Sequence, residues 1–392
     1  MHRIGLLPRL LIGILSGVLI GLFFPEWVAR LLFTFTHLFG QFLGFIVPLI
    51  IVGFIAAGVA ELGSRAGKLL AGGVGMAYGS TILAGLASFF VALMVVPLFI
   101  TEGAAGDPDA AGLTPFLQIA TPPVMGVMSA LVMAFLLGLG INHLRHEKGK
   151  QVLYGVMEEF RTIIVLVIVK VIIPLLPLHI AGIFADMAAT GEVIQTLQVF
   201  ALIFVLILSL HLVWLLSLYS MAAARTGKNP FVSLRTMLPA YTTALGTMSS
   251  AATIPVTLQS TKNNGVSERI AEFLIPLLAT IHLAGSTISL VVCSIAVVLL
   301  SGDTPELAQF FPFILLLGVT MIAAPGVPGG AVMAALGLMS SILGFTDPQL
   351  GLMLALYMAQ DGFGTACNVT GDGAISLMID SFNGSEAAKT QG

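Results

Sequence analysis

Charge is what this chain has least of. Only 9% of its 392 residues are Asp, Glu, Lys or Arg, 57% are hydrophobic, and the mean hydropathy is +1.05. Soluble domains carry roughly a quarter charged residues, so a soluble globular fold is excluded. Cysteine is almost missing as well. Cys293 and Cys367 both fall in apolar runs, which rules out a disulfide framework and a zinc site built by cysteine spacing. A net charge of −3 with scattered basic residues leaves no nucleic-acid footprint. The apolar runs are about 20 residues or longer, too long and continuous for barrel strands. What remains is an all-α polytopic membrane protein.

Apolar spans fall at 4–24, 32–60, 69–100, 114–141, 152–176, 194–221, 270–301 and 349–379. Several exceed the length needed to cross, so they tilt. Met1-His-Arg-Ile opens a full-length span without a small-residue cleavage site, which reads as a first helix and not a removed signal. Basic residues alternate between loops: Arg65 and Lys68, then Arg145, Lys148 and Lys150, then Arg225, Lys228 and Arg235, then Lys262 and Arg269. The intervening loops hold Glu102, Asp107 and Asp109, then Asp186 and Glu192, then Asp303 and Glu306. By the positive-inside rule the N-terminus, the basic loops and the tail around Lys389 are cytoplasmic, with Arg30 the exception outside.

Two further segments, 230–262 and 310–345, are apolar but broken in the middle by small residues and prolines. Basic residues flank the first on both sides and acidic residues flank the second, the latter including Asp347. Each must therefore enter and leave from one face, giving two opposed re-entrant hairpins. Their tips are Gly246-Thr-Met-Ser-Ser-Ala-Ala-Thr-Ile-Pro255 and Ala324-Pro-Gly-Val-Pro-Gly-Gly330. Non-helical backbone is tolerated at membrane depth only in protein or around a wet cavity, an arrangement typical of secondary transporters.

The last span carries Asp361, Thr365, Asn368 and Asp372. These positions run i, i+4, i+7, i+11, one stripe of a helix. Ionisable groups at that depth point to a substrate or ion pathway. The two carboxylates lie about 16 Å apart along the axis, too far to act as one site. Asp361 suits a substrate ammonium; Asp372 with Asn368 suits a hard cation held by oxygens. At the first tip, Ser249 and Ser250 precede a half-helix whose N–H groups suit a carboxylate; a Ser-rich helix contact is the bland reading. At the second, Pro325, Gly326, Pro328, Gly329 and Gly330 offer carbonyls and hinges; a plain turn there would invert the last span. The seventh span holds Thr280-Ile-His282-Leu-Ala-Gly285-Ser286-Thr287, where Gly285 suggests local unwinding and His282 is either a packing residue or a proton carrier. Lys170 snorkels to the outer interface and Met333 to Met339 are packing residues.

These residues resemble the dicarboxylate/amino acid:cation symporter family, the relatives of glutamate transporters. The matches are Asn368-Val-Thr-Gly-Asp372 with Asp361 and Thr365 upstream, and Gly326-Val-Pro-Gly329. Ser249-Ser250 with Thr253-Ile-Pro255-Val-Thr257 adds to them, as does Ile275-Pro276 through Gly285. The resemblance implies eight transmembrane helices plus two opposed re-entrant hairpins in a glutamate-transporter-like elevator fold, assembled as a homotrimer among membrane lipids in a bacterial or archaeal cytoplasmic membrane. Residues 1–68 and 101–193 would form a scaffold, 69–100 and 194–380 the transport unit, and 381–392 a cytoplasmic tail. Asp361 would hold a substrate amino group, Thr365 and Asn368 its polar groups, and the Ser249/Ser250 tip its α-carboxylate, with Gly364, Val327, Pro328 and Gly329 lining the same site. Asp372, Asn368, His282 and Ser286 would surround the coupling ion, Na⁺, with no organic cofactor.

Three departures matter. Acidic-substrate members carry Arg where this chain has Gly364, and some place Arg at the first tip where it has Met248. No fixed cation remains for a side-chain carboxylate, which implies a small neutral amino acid. The family's Asn-Met-Asp-Gly-Thr reads His282-Leu-Ala-Gly-Ser286 here, so at least one Na⁺ site is altered and His282 makes proton coupling an alternative, for a small amino acid or organic acid. Two other classes are weaker. Gly371-Asp372-Gly373 resembles an intramembrane aspartyl protease element, but that chemistry needs two facing carboxylates close together. An ion channel could also use opposed hairpins, yet the Gly/Pro lid favours alternating access. A transporter, not an enzyme, is the expectation.

Overall fold

The computed structural model describes residues 6–61, 67–99, 112–191, 193–322, 324, 326 and 328–389, and among these there is helix but no strand. Arg65, Glu102, Asp107, Asp109, Glu192, Pro325 and Val327 lie outside the described residues, as do the side chains of Lys68, Lys148 and Lys389.

Helices α1 (Leu6–Phe23) and α2 (Glu26–Ile51) meet at Pro25, and α2 runs through a π turn (Val52–Ala56) into α3 (Ala57–Glu61). Then follow α4 (Gly67–Val95), α5 (Val127–Lys148) and α6 (Val152–Val167), with a second π turn (Ile168–Ile172) leading into α7 (Ile173–Ala189). The long α8 (Val193–Thr226) precedes α9 (Pro230–Thr236), α10 (Leu238–Thr247) and α11 (Ser250–Asn263). The chain closes with α12 (Glu268–Ile281), α13 (Ala284–Leu300), α14 (Leu307–Met321), α15 (Gly330–Ile342), α16 (Asp347–Met358) and α17 (Asp361–Lys389).

Three expectations shift. The fourth span begins at Val127, not near 114, because Pro122 and Pro123 lack the N–H a helix needs and hold the preceding segment irregular. Arg30 explains itself here: its guanidinium donates to the Thr114 carbonyl at 2.9 Å and stacks 4.4 Å over the Phe116 ring, pinning that segment to α2. The seventh span breaks at His282-Leu283, both outside helical geometry, so Gly285 is already inside α13. The eighth is two helices: α16 ends at Met358 and α17 starts at Asp361, and in the gap the Gln360 amide donates back to the Leu356 carbonyl at 3.1 Å.

Five stretches among the described residues are long and apolar enough to cross a membrane: Glu26–Ala60, Ala71–Leu98, Val152–Ala189, Thr196–Thr226 and Glu268–Leu300. The helix within each of 8–23 and 129–145 is apolar but shorter, and α17 carries too many polar residues to qualify on composition. The most apolar window of Glu268–Leu300 is 89% buried against 28% for that of Thr196–Thr226, so α12 and α13 are the centre and α8 a wall. Around α17 pack α4, α8, α10, α11, α12 and α13. Its polar stripe is thus enclosed by protein.

Candidate functional site

Both broken segments fold as helix–turn–helix pairs, α10 on α11 and α14 on α15. In the first, Met248 turns the chain in the left-handed region (φ 50), the single non-glycine residue described there. Ser249 then caps α11, its Oγ accepting from the Ala252 N–H at 3.2 Å. In the second, Gly329 takes φ 75 at the start of α15, and a Cβ there would fall 2.8 Å from Met358 Sδ, so only glycine fits. The two tips touch. Ser249 Oγ donates to the Gly326 carbonyl at 2.5 Å, and a Cβ on Gly326 would lie 3.2 Å from that of Ala251.

Each polar residue of α17 meets a different partner. Asp361, 4% exposed, accepts from the Gly329 N–H at 2.7 Å, tying the second tip to α17. Thr365 donates its hydroxyl to the Asp361 carbonyl at 2.8 Å. Asn368 Oδ1 accepts from the N–H groups of Gly285 (2.8 Å) and Ser286 (3.3 Å), and Nδ2 donates to Ser286 Oγ at 2.9 Å. This side chain caps the unpaired amides at the start of α13. One turn on, Asp372 Oδ1 lies 2.8 Å from His282 Nδ1, while Oδ2 is buried with no hydrogen-bond partner. His282 Nε2 is 2.9 Å from Ser80 Oγ on α4.

Glycines set these distances. A Cβ on Gly285 would come within 2.5 Å of Cys367 Cβ, and one on Gly371 within 2.7 Å of the His282 ring. Gly371 therefore makes room for the imidazole and Gly373 for Met237 and the Tyr219 hydroxyl; the Gly-Asp-Gly triplet is a packing device, and no second carboxylate faces Asp372 among the described residues.

Between the tips, α17 and the first turn of α13 lies a chamber of about 20 Å³, bordered by Met248, Ser250, Ser286, Gly326, Asp361, Thr365 and Asn368 among others. That is space for about one water molecule. Ser249 and Gly326 meet beside it. Among the described residues Asp361 is the only ionisable side chain on its border, and the first turn of α11 brings N–H groups and the positive end of a helix dipole opposite. Such a pair can hold an ammonium and a carboxylate of one small molecule. Gly364 does not border the chamber: a Cβ there would contact the Ser286 backbone at 3.4 Å.

The structure thus gathers Ser250, Asp361, Thr365 and Asn368 around one chamber, with Ser249 and Gly329 joined to it by hydrogen bonds and Pro328 half-buried beside Gly329. Asn368 and Asp372 face different partners, as do Ser286 and His282. The orphaned Asp372 Oδ2 is the one oxygen of the proposed cation group left unspent. Sequence reasoning overlooked His211 on α8, whose Nε2 sits 2.9 Å from the Gly285 carbonyl and secures the turn that Asn368 caps. The signal was present, an isolated imidazole in an apolar run, the same one that singled out His282. Ser80 had no local signal.

Residues 6–382 match the sodium:dicarboxylate symporter family. An excitatory amino acid transporter of Caenorhabditis elegans is 28% identical over 63% of this chain and 49% of its own length. Neutral amino acid transporter A of Bos taurus is 32% identical over 38% of this chain and 28% of its own, and excitatory amino acid transporter 1 of Homo sapiens 29% over 49% and 35%. The chain spans about half the length of these relatives or less. The family is one of transporters and not of enzymes, as expected from the residues. With its match running through both tips and the polar stripe of α17, the chain belongs to the sodium:dicarboxylate symporter family.

Proposed function

We propose that the protein is a secondary active symporter carrying a small neutral amino acid across a bacterial or archaeal cytoplasmic membrane, coupled to Na⁺. The observation that carries this is the chamber under the tips, with one carboxylate, Asp361, and no basic side chain. An α-amino acid offers one ammonium for Asp361 and one carboxylate for the start of α11. A second carboxylate would be buried unpaired, at a cost of several kcal/mol. The relatives' names include both excitatory and neutral amino acid transporters, so they do not choose the substrate; the absence of a basic side chain among the described lining residues supports a neutral one.

The remaining geometry supports alternating access. The chamber admits no amino acid until the tips part, and Ser249 with Gly326 is the contact that must open. In this reading α10–α11 and α14–α15 are re-entrant from opposite faces. The chain makes eight crossings with both termini cytoplasmic, and residues 69–100 and 194–380 move as an elevator against a scaffold of 1–68 and 101–193 in a homotrimer. Uptake in proteoliposomes with an imposed Na⁺ gradient, across serine, threonine, alanine, aspartate and glutamate, tests it. Preference for aspartate or glutamate would refute the neutral substrate, and passive, non-concentrative flux would favour a channel.

A second reading rests on His282. Its ring bridges Asp372 and the Ser80 hydroxyl, which can donate or accept. The contacts hold with the imidazole neutral or protonated, so a proton can be carried without rearranging heavy atoms. Transport that persists without Na⁺ but collapses with the proton gradient would establish this reading in place of the first.

A further inference from the structure

Away from the tips, a cavity of about 580 Å³ lies between α2, the segment 120–126, α7, α15 and α16. Its size falls within the roughly 300–1,000 Å³ of small-molecule sites. The walls are largely apolar, with Leu43, Val47, Leu336 and Leu354 among them; Thr121, Ser340 and Ser341 add hydroxyls, and the groups with unused hydrogen-bonding capacity are Asp347 and His179. The exposed carboxylate of Asp347 accepts from Gln41 Nε2 at 2.9 Å. His179 is 2% exposed, and its ring nitrogens meet no partner of hydrogen-bonding geometry, the Thr36 backbone lying beside the ring. Its Nε2 faces α16, 3.1 Å from where a Cβ on Gly351 would stand, and Gly351 also lines the cavity.

We propose that this cavity is a binding site for a small amphiphile with a protonated amine, an apolar body and a second hydrogen-bonding group. The amine lies at Asp347, the only charged side chain among the described residues of the lining. The carboxylate has one hydrogen-bond partner among the described residues and capacity for about four, so an ammonium finds unused acceptors. An anion meets repulsion there, since no lysine or arginine lines the space. A plain acyl chain would fill the walls and leave the imidazole unsatisfied, which disfavours it against a ligand that carries an acceptor or donor to His179. The inference stands apart from the transport reading, because it concerns binding to the resting protein.

The test uses the full-length chain purified in a maltoside detergent, with titration calorimetry of 3-(6-methoxynaphthalen-2-yl)propylamine, its des-methoxy analogue, and the alcohol and carboxylic acid of the same skeleton. The expected result is saturable one-to-one binding of the amine, weakened about tenfold for the alcohol and more for the acid. Asp347→Asn removes the preference for amine over alcohol. His179→Phe removes the difference between the methoxy and des-methoxy compounds, a double-mutant-cycle readout that a misfolded variant would not reproduce. Leu354→Trp fills the space and abolishes binding while gel-filtration behaviour is kept. Equal binding of amine, alcohol and acid, or binding that survives Leu354→Trp, would overturn the proposal. So would loss of amine binding in nanodiscs of phosphatidylcholine alone, which would assign the cavity to lipid chains.

Discussion

His282 presents Nδ1 to Asp372 Oδ1 at 2.8 Å, and neither side chain has exposed surface. The pair joins the break between α12 and α13 to the middle of α17 across 90 residues of sequence, with Ser80 of α4 on the far side of the ring. Deleting one member of a buried pair strands the other, which costs about 3–5 kcal/mol. His282→Leu is therefore expected to lower the unfolding midpoint in detergent sharply. The double variant with Asp372→Leu should recover much of the loss. Equal, additive losses would show that the contact carries no coupling.

His282→Asn should separate the two coupling schemes. An amide supplies an oxygen in place of a ring that can hold a proton, beside the unpartnered Asp372 Oδ2. The expected outcome is uptake with a steeper Na⁺ dependence and no response to an imposed proton gradient. Wild-type and variant uptake in the same proteoliposomes, with each gradient applied alone, reads both changes.

Asp361→Asn is expected to lower uptake about 100-fold, since the ammonium loses a charge-assisted contact of about 3 kcal/mol. An amide oxygen can still accept from the Gly329 N–H, so the variant should fold with a near-normal midpoint. Initial rates of radiolabelled serine uptake, set beside that midpoint, distinguish a lost substrate contact from a lost structure.

A cation installed at 248 and one installed at 364 should behave differently. Met248 borders the chamber and already occupies left-handed backbone, so Met248→Arg adds little strain and is expected to bring measurable aspartate uptake. A Cβ on Gly364 would only touch the Ser286 backbone at 3.4 Å, but it points into the α13–α17 seam, so the rest of the side chain in Gly364→Arg overpacks that seam at about 1–3 kcal/mol. That variant should lose stability without gaining aspartate. Aspartate uptake by the 364 variant alone would contradict the placement.

The tips offer a direct lock. Cysteines at Ala251 and Gly326 would stand with Cβ atoms about 3.2 Å apart, close to the roughly 3.5–4.5 Å of a disulfide. Oxidation or a mercuric bridge should stop uptake, and reductant should restore it. Native Cys293 and Cys367 are buried and take no part. Undiminished transport by the cross-linked protein would mean that the tips do not need to part.

What was legible in the residues was everything that periodicity and solvation dictate. The apolar runs declared a helical membrane protein, the loop charges suggested where two segments turn back, and the spacing of Asp361, Thr365, Asn368 and Asp372 placed them on one stripe, which the fold buries. Those are consequences of helix pitch and of the cost of charge in an apolar medium, both local. Partners were another matter. That Asn368 serves the first turn of α13, that Asp372 serves His282 and Asp361 the Gly329 amide, follows from how α17 packs among α4, α8 and α10 to α13. The prolines at 122 and 123 and the amide of Gln360 moved helix ends that hydropathy could not see, because hydropathy counts burial and ignores backbone hydrogen bonds. His179 and Asp347 lie 168 positions apart in the chain, and only packing places them around one cavity.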